Sequence, residues 1–371
     1  MSQIKIDRIR SHEKFDGLDA IFIVKPQNIL YILGFKILSE TFIMIPRDDH
    51  NATNGKIWVF LNALEYDQAK DIITNDKNKS KIFEIKQIPA GKPKFIQKTI
   101  NRLKLNTIGF EDDFISVRRY EEWKKGFSNP NFMGASDIIN QARLIKTEEE
   151  IKRMKKAAEL GDIGFKTIFD SIEEGKTEKE LAAEAEFAMR RVGSEGTSFD
   201  TIVASGEKSG YPHSLTSEKK IQNGDLIIVD LGAKYDGYCS DMTRSFIFGK
   251  ESQDKMELVN LVNEANQVAL DNVRAGMKCQ EIDKLTRDFF IKKRKDWGSR
   301  FLHSLGHGVG IDIHENPYLS PISEEVLEEN MVITIEPGLY IEGLGGARTE
   351  DQVVVKKDGF ISLSNSKKYY Y

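Results

Sequence analysis

Cysteine is almost absent from this 371-residue chain, which contains only Cys239 and Cys279. A small disulfide-stabilised scaffold needs more cysteines than this, so the composition excludes that class. The first ten residues have no apolar segment behind their charges, so we expect no secretory signal. No apolar run approaches the roughly 20 residues that cross a bilayer. We therefore expect a cytoplasmic protein with no membrane partner.

A surplus of positive charge is lacking too. Lys and Arg number 54 against 58 Asp and Glu, for a net charge of −4, and no basic face indicates a nucleic-acid partner. The remaining composition, 40% hydrophobic and 30% charged, is ordinary for a globular protein. At about 150 residues per domain, the length favours two domains.

The first part of the chain alternates between strand and helix patterns. Apolar, often β-branched runs predict strands at 20–24, 41–45, 56–61 and 107–110. Helical patterns lie between them, at 63–73 and 94–103. Such alternation is typical of an α/β domain. Because the segment 129–134 indicates a boundary, we predict one domain at 1–135 and a second at 136–371.

Two capping patterns open the second domain. Thr147 is followed three residues later by Glu150, and Thr177 by Glu180 in the same way. In a capping box the two side chains satisfy each other's free backbone N–H groups at the start of a helix. We therefore predict that two helices precede the first strand of this domain.

The next segment contains two carboxylates in a strand context. The apolar run 226–229 predicts a strand with Asp230 in or beside an apolar layer. A turn around Asp236 and Gly237 would bring Asp241 onto a neighbouring strand. Two ionised carboxylates side by side repel unless one takes up a proton or a cation lies between them. The alternative is that Asp230 caps a turn and Asp241 is a solvated surface residue.

Three of the six histidines, His303, His307 and His314, fall within twelve residues. Neighbouring glycines allow the backbone there to approach another group closely. The segment is neither a phosphate loop nor a His-Glu-x-x-His zinc helix, because Glu315 is followed by Asn-Pro. His213 lies in an earlier glycine-rich loop. The alternatives are a surface role for His213 and a neutral core role for the other three.

Two more acids adjoin strand patterns: Glu336 follows the run 332–335, and Glu350 precedes 353–355. With the two aspartates they make four carboxylates, a set that an apolar core would not accommodate as bare charges. Two divalent cations would neutralise them. Oxygen ligands with one imidazole favour Mn²⁺ or Co²⁺, with Zn²⁺ and Fe²⁺ as alternatives. Two ions about 3.5 to 4 Å apart can hold a bridging water and activate it to attack a carbonyl.

Four motifs in this order carry a family resemblance. They are Asp-Leu-Gly-x-x-x-x-Gly-Tyr-x-Ser-Asp-x-Thr-Arg from residue 230, Gly-His-Gly-Val-Gly from 306, Ile-Glu-Pro-Gly from 335 and Arg-x-Glu-Asp from 348. The combination resembles the pita-bread metallopeptidases, in the branch of the Xaa-Pro dipeptidases (prolidases) and aminopeptidase P. The segment 28–35 resembles that branch's creatinase-like domain. The implied fold class is α/β (α+β), with a creatinase-like N-terminal domain before a pita-bread catalytic domain whose curved antiparallel sheet is flanked by helices.

The resemblance also implies a ligand set. Asp241 and Glu350 would bridge two divalent ions, Asp230 would hold one ion, and His307 with Glu336 would hold the other. The need for charge balance among the four acids supports this assignment independently.

Further roles follow from the same resemblance. His213, His303 and His314 match positions that contact substrate or stabilise the tetrahedral intermediate. Glu336 would shuttle a proton, and Arg348 would bind or position the substrate by contacting the substrate's carboxylate.

The implied activity is hydrolysis of the bond before proline in dipeptides. The implied partners are small peptides with proline at the second position and a second copy of the chain, in a homodimer. Removal of the first residue from longer Xaa-Pro peptides, as by aminopeptidase P, is the nearest alternative. A non-peptide hydrolase and a non-catalytic binding protein of the same fold are further ones, although such relatives commonly lack the complete ligand set. Thr349, where an apolar residue is usual, and Ser214 depart from the pattern and bear on substrate choice.

Overall fold

The structure, a computed structural model, describes residues 2–47, 55–89, 94–128 and 130–371. The chain divides into two compact units between Arg143 and Leu144. This division lies eight residues beyond the predicted boundary, and a separate domain at 1–135 stays a prediction. Among the described residues, no helix combines the length and apolarity that crossing a membrane requires.

A six-stranded sheet forms the centre of the first unit. Its strands are β1 (Ala20–Ile23), β2 (Thr41–Pro46), β3 (Ile57–Leu61), β4 (Phe83–Gln87), β5 (Thr107–Phe110) and β6 (Asn131–Gly134). They lie in the order β4-β3-β2-β1-β5-β6, and β2 pairs antiparallel with both neighbours while the outer pairs are parallel. All four predicted strands are confirmed.

Helices accompany this sheet. They are α1 (Ser2–Arg10), α2 (Pro26–Leu33), α3 (Ala63–Asn75), α4 (Lys79–Ile82), α5 (Lys94–Leu103), α6 (Val117–Gly126) and α7 (Ser136–Leu144), with a 3₁₀ turn at Glu13–Gly17. The two predicted helices correspond to α3 and α5. In the segment 129–134, which indicated a boundary, Asn129 lies outside the described residues and Asn131–Gly134 form the edge strand β6, whose backbone pairs in register with β5.

The helices of the second unit include two that precede its first strand, as predicted. They are α8 (Glu148–Ser171), α9 (Glu178–Arg191), α10 (Gln253–Leu270), α11 (Cys279–Lys293) and α12 (Lys295–Gly298). Both capping boxes are present, with Thr147 bonded reciprocally to Glu150 and Thr177 to Glu180. A 3₁₀ turn at Gly206–Gly210 follows the strand Ile202–Ser205.

The strands of this unit pair only in antiparallel fashion across residues 144–371, as predicted. They are β7 (Gly196–Thr197), β8 (Ile202–Ser205), β9 (Leu226–Leu231), β10 (Ala233–Tyr235), β11 (Tyr238–Cys239), β12 (Met242–Ile247), β13 (Gly306–Gly308), β14 (Glu315–Leu319), β15 (Val332–Ile335), β16 (Gly338–Ile341), β17 (Gly345–Arg348), β18 (Asp351–Lys356) and β19 (Gly359–Ser362). The sheets β12-β9-β8 and β14-β13-β15-β18-β19 contain or adjoin all the predicted site strands.

Candidate metal centre

A hairpin brings the two aspartates together. Strands β9 and β12 pair with Leu231 opposite Met242, so Asp230 and Asp241 lie on adjoining strands near the same end. Between them the chain turns at Asp236 and Gly237, whose φ angles of 47° and 80° are the two positive values that a tight two-residue turn requires. The predicted hairpin is confirmed, and both aspartates are buried.

The two glutamates lie at one end of a second strand pair. Glu336 directly follows β15 and Glu350 directly precedes β18, and the register places Ile335 opposite Asp351. A bridge between Thr243 and Glu350 joins this pair to the aspartate hairpin. The four carboxylates therefore meet where two sheets adjoin.

His307 approaches the same place from β13. A Cβ on either flanking glycine would lie about 2 Å from a backbone oxygen, 2.0 Å from that of Thr334 and 2.2 Å from that of Asn316, so only glycine fits there. The imidazole Nδ1 lies 3.0 Å from the carbonyl oxygen of Gly308. Because a carbonyl only accepts, Nδ1 carries the proton and Nε2 presents a lone pair to the carboxylates.

The ligand atoms of Asp241, His307 and Glu350 all lie within 4.8 Å of one another. His307 Nε2 is 3.4 Å from Glu336 Oε1 and 3.6 Å from Asp241 Oδ2. Asp230 adds a buried Oδ1 that has no hydrogen-bond partner within the described part of the chain. Hydrogen-bond acceptors that face one another in a buried space carry negative charge that no nearby donor fully neutralises. This set of ligand atoms therefore fits divalent cations.

Burial dominates the electrostatics of this cluster. Burial first, and the charge of Glu350 second, raise the pKa of Asp241 and of Glu336 well above the usual range. Burial, followed by the nearby charge of Asp230, raises the pKa of Glu350 to about 8. Burial also lowers the pKa of His307 to about 4, which keeps its imidazole neutral at pH 7. Without a cation, the site would take up protons to relieve the repulsion.

The cluster lines a cavity of about 360 Å³. Three more predicted histidines line it, namely His213, His303 and His314. The His314 ring packs edge-on against that of His307 with centroids 4.3 Å apart. Burial lowers the pKa of His303 to about 4 and, to a lesser extent, that of His314. The structure thus brings every predicted site residue to one cavity.

Sequence profiles identify the family. The profile described as metallopeptidase family M24 matches residues 152–357, more than half of the chain. The chain belongs to family M24. The profile of the creatinase/prolidase N-terminal domain matches residues 5–145. The family resemblance and the fold class predicted from the motifs are both confirmed.

Relatives of this M24 chain are similar over its whole length. The Xaa-Pro dipeptidase of Pyrococcus furiosus is 37% identical over 366 residues, which cover 98% of this chain and 99% of that protein. The solved structure of an Xaa-Pro dipeptidase from Bacillus anthracis has a TM-score of 0.92 at 34% identity, covering 100% of this chain and 99% of that one. An X-Pro aminopeptidase from Thermotoga maritima has a TM-score of 0.86 at 34% identity, covering 96% and 97%.

The guanidinium of Arg348 contacts the carboxylate cluster of this M24 fold. Its Nη2 donates to Asp230 Oδ2, its Nη1 to the hydroxyl of Tyr340 at 2.8 Å, and its Nε to Thr243 Oγ1 at 3.1 Å. Thr243 in turn donates to Glu350 Oε2 at 2.9 Å. These contacts favour a role in holding carboxylates, and the predicted role in binding the substrate carboxylate stays a prediction.

Sequence reasoning missed Tyr340 and Thr243. Tyr340 lies 3.0 Å from His303 Nε2, and because Nδ1 of that ring is bonded to the Ser304 carbonyl, the tyrosine hydroxyl is the donor. The signal available was weak: Thr243 lies inside a quoted motif, whereas Tyr340 is one of several aromatic residues in apolar strands.

Sequence reasoning also missed the support of the loop 206–216, which presents His213. The carboxylate of Glu178, which is fully buried, accepts from the backbone N–H and hydroxyl of Ser205 and from those of Ser217. Lys208 Nζ is 3.2 Å away. One side chain on α9 therefore holds both ends of the loop. In the sequence, Glu178 stood out only as part of the capping pattern from Thr177 to Glu180.

Proposed function

We propose that this protein is a metal-dependent peptidase that hydrolyses the bond before proline, preferentially in Xaa-Pro dipeptides. The observation that carries the proposal is the convergence of Asp241, His307 and Glu350 within 4.8 Å, with Asp230 and Glu336 lining the same cavity. The names of similar proteins, which include Xaa-Pro dipeptidases, support the choice of substrate.

The five side chains would hold two divalent cations, as the resemblance implies, with Asp241 and Glu350 shared between them. Mn²⁺ or Co²⁺ suits this oxygen-rich set, and Zn²⁺ or Fe²⁺ is the alternative. When bound, such a pair lowers the pKa of water and stabilises the charge that develops on an attacked carbonyl.

The chain's own groups would then orient substrate and move protons. Glu336 lines the cavity and would accept a proton and return it to the leaving nitrogen. His314 and His213 lie on the wall, where an imidazole N–H can bond to a developing oxyanion or to a substrate carboxylate. Arg348 orients Asp230 through its hydrogen bond.

An apolar part of the cavity wall suits the proline ring. Phe199, Ile202 and Pro212 line the cavity together with Tyr318. Because the tertiary amide before proline offers no N–H, selectivity has to come from the shape of the ring and from the ends of the substrate. These four side chains supply the lining that sequence reasoning could not name.

Removal of the N-terminal residue from longer peptides is the second candidate. The X-Pro aminopeptidase of Thermotoga maritima has the same 34% identity to this chain as the Bacillus anthracis dipeptidase. Identity alone therefore does not separate the two substrate classes, and substrate length has to be measured.

The test compares Xaa-Pro with Xaa-Pro-Yaa after chelation and after return of Mn²⁺, Co²⁺ or Zn²⁺. We expect hydrolysis to vanish on chelation, to return best with Mn²⁺ or Co²⁺, and to favour the dipeptide. Activity that ignores chelation would refute the metal-dependent mechanism. A clear preference for the tripeptide would favour the aminopeptidase instead.

We also propose a homodimer in the cytoplasm. The dimer rests on the family resemblance, and light scattering of the eluting peak in size-exclusion chromatography would test it. A reducing compartment is consistent with Cys239 and Cys279, which are both buried and unpaired. Burial raises their thiol pKa values to about 11 and about 12, so neither thiol is ionised at pH 7.

A further inference from the structure

Helix α10 carries three asparagines on one face, Asn260, Asn263 and Asn266, each three residues from the next. Asn263 is 1% exposed and Asn266 is fully buried. A buried carboxamide is costly unless its donors and acceptor are all paired, so Asn263 and Asn266 must have partners outside their own helix. The identity of those partners separates Asn266 from the other two.

Asn266 connects the backbone at both glutamates of the metal centre. Its Nδ2 donates to the carbonyl oxygen of Ile335 at 2.8 Å and to that of Thr349 at 3.2 Å. These residues directly precede Glu336 and Glu350. One amide group therefore ties together the two positions at which the glutamates leave their strands.

Asn263 reinforces the same point. Its Oδ1 accepts from the hydroxyl of Thr349 at 2.6 Å. Thr349 is thus held by both its hydroxyl and its carbonyl. This contact gives a structural reason for a threonine at a position where the sequence pattern leads us to expect an apolar residue.

The C-terminal segment, residues 365–371, bonds to the amide atoms that face away from the glutamate strands. Asn263 Nδ2 donates to the Tyr369 carbonyl at 2.6 Å. Lys368 Nζ donates to Asn266 Oδ1 at 2.6 Å and forms an ion pair with Asp351 Oδ2 at 2.7 Å. Because an ammonium group can only donate, it forces the Asn266 oxygen towards itself and leaves Nδ2 facing the two carbonyls. The C-terminal segment therefore sets the orientation of the amide that contacts the glutamate strands.

The contacts of Asn260 end at the same segment and go no further. Its Nδ2 donates to the Tyr371 carbonyl at 2.6 Å, and its Oδ1 accepts from the Tyr371 N–H at 3.0 Å. Asn260 thus shares with Asn266 the helix, the side-chain type and a partner in the C-terminal segment, but within the described residues its hydrogen bonds go only to Tyr371. It provides a matched control.

We propose that Asn266 is a positioning residue, oriented by Lys368, that fixes the separation of Glu336 and Glu350 for cation binding. This inference rests on the proposed function, because the spacing of the glutamates matters chemically only if they share cations. Groups behind metal ligands set the geometry of the ligands, and their loss typically weakens binding.

The experiment uses the full chain, freed of metal, with Co²⁺ as the probe. CoCl₂ is titrated into wild type, Asn266→Leu, Asn260→Leu and Lys368→Met while the visible absorption of bound Co²⁺ is recorded. We expect Asn266→Leu to weaken Co²⁺ affinity by about tenfold or more and to change the absorption bands, and Lys368→Met to act in the same direction to a smaller degree. Asn260→Leu should keep the wild-type affinity within about twofold.

Kinetics with an Xaa-Pro dipeptide add a second readout. Asn266→Leu should lower kcat with little change in KM, because the cavity wall is untouched. A purely structural asparagine would lower the melting temperature of the metal-free protein and leave Co²⁺ affinity and absorption unchanged, and that result would overturn the proposal. If Asn266→Leu does not fold, a wild-type Co²⁺ affinity and spectrum in Lys368→Met would overturn it equally. Wild-type protein that binds no Co²⁺ would instead remove the proposed function, and this inference with it.

Discussion

Each unit of the molecule buries a glutamate almost completely, Glu111 in the first and Glu350 in the second. Glu111 accepts from the backbone N–H groups of Val24 and Lys25 at 2.6 and 2.7 Å and from the amide of Asn28 at 2.6 Å. Glu350 accepts from Thr243 and lies near the charges of Asp230 and Asp241, which the guanidinium groups of Arg348 and Arg244 offset only in part.

The difference separates structural from functional burial of charge. The chain supplies its own donors to Glu111, at the start of helix α2, in a unit whose core is a cluster of aromatic rings around Phe22 and Trp123. Around Glu350 the chain supplies more acceptors than donors, at a site that lines a cavity. A surplus of buried acceptors indicates that positive charge comes from outside the chain.

The largest expected effect comes from changing each glutamate to glutamine. Glu350→Gln should lose bound metal and about a thousandfold in kcat/KM for an Xaa-Pro dipeptide, because several kcal/mol of transition-state stabilisation depend on the cations. Glu111→Gln should keep metal and turnover but lose roughly 1–3 kcal/mol in the free energy of unfolding, because its amide cannot accept all three donors. Metal analysis, kinetics and urea unfolding measure these quantities. Full metal content and activity in Glu350→Gln would refute the ligand assignment.

Truncation of the aromatic core should affect stability alone. Trp123 packs edge-on against Phe22 with ring centroids 6.0 Å apart and lies beside Phe132 at 5.7 Å. Trp123→Ala should lower the free energy of unfolding by about 3–5 kcal/mol through the cavity it leaves. Below the melting temperature, Co²⁺ affinity should equal that of wild type. A large loss of Co²⁺ affinity in the folded variant would show that the two units do not divide these roles.

Removal of metal should make stability depend on pH. Because the pKa of Glu350 is raised to about 8 in the folded protein, the folded state binds its proton more tightly than the unfolded state between about 4.5 and 8, and stability falls as pH rises. His303 and His307, whose pKa values are lowered to about 4, act with the opposite sign only below about 6.5. Urea unfolding in EDTA should therefore show a loss on the order of a few kcal/mol between pH 6.5 and 8.

Two controls accompany the pH measurement. Saturating Mn²⁺ or Co²⁺ should flatten the dependence, because bound cations replace the proton as the neutralising charge. Glu350→Gln should reduce it in the metal-free protein, while Asp241 and Glu336, whose pKa values are also raised, keep part of it. A metal-free wild-type protein that is more stable at pH 8 than at pH 6.5 would contradict the claim that the carboxylates around Glu350 bind protons when no cation is present.

Glu178 sharpens the comparison, because it is a buried glutamate of the second unit with a full set of donors, like Glu111. Glu178→Gln should free one end of the loop 206–216 and raise KM for an Xaa-Pro dipeptide by about tenfold with little loss of kcat, since a hydrogen bond to a charged group contributes about 1.5–3 kcal/mol. Glu180→Gln, two residues along α9, is the matched control and should leave KM unchanged. A fall in kcat with constant KM would place the effect of Glu178 elsewhere.

Local patterns predicted much of this protein correctly. The turn at Asp236 and Gly237, the helix starts at Thr147 and Thr177, and the four strands of the first sheet each depend on neighbours in sequence, which local reasoning can read. The edge strand Asn131–Gly134 was missed because its composition resembles a loop. Its strand character comes from pairing with β5, more than twenty positions earlier.

The candidate site divides in the same way. The acids and histidines stand out in sequence because charge inside an apolar strand is rare. The residues that hold them, such as Tyr340, Glu178 and Asn266, have no such signal, because each is an ordinary residue on its own helix or strand. Their contacts join positions from 8 to 83 residues apart.

The sequence alone determined the family, the antiparallel second unit and the residue types of a cation site, because charge placed in apolar strands has few chemical explanations. Only the tertiary structure decided which acceptors remain unanswered and which side chains hold the ligands. Those properties depend on distances between strands and helices that are remote along the chain, and hydrogen bonds and desolvation act at such distances without leaving a local pattern.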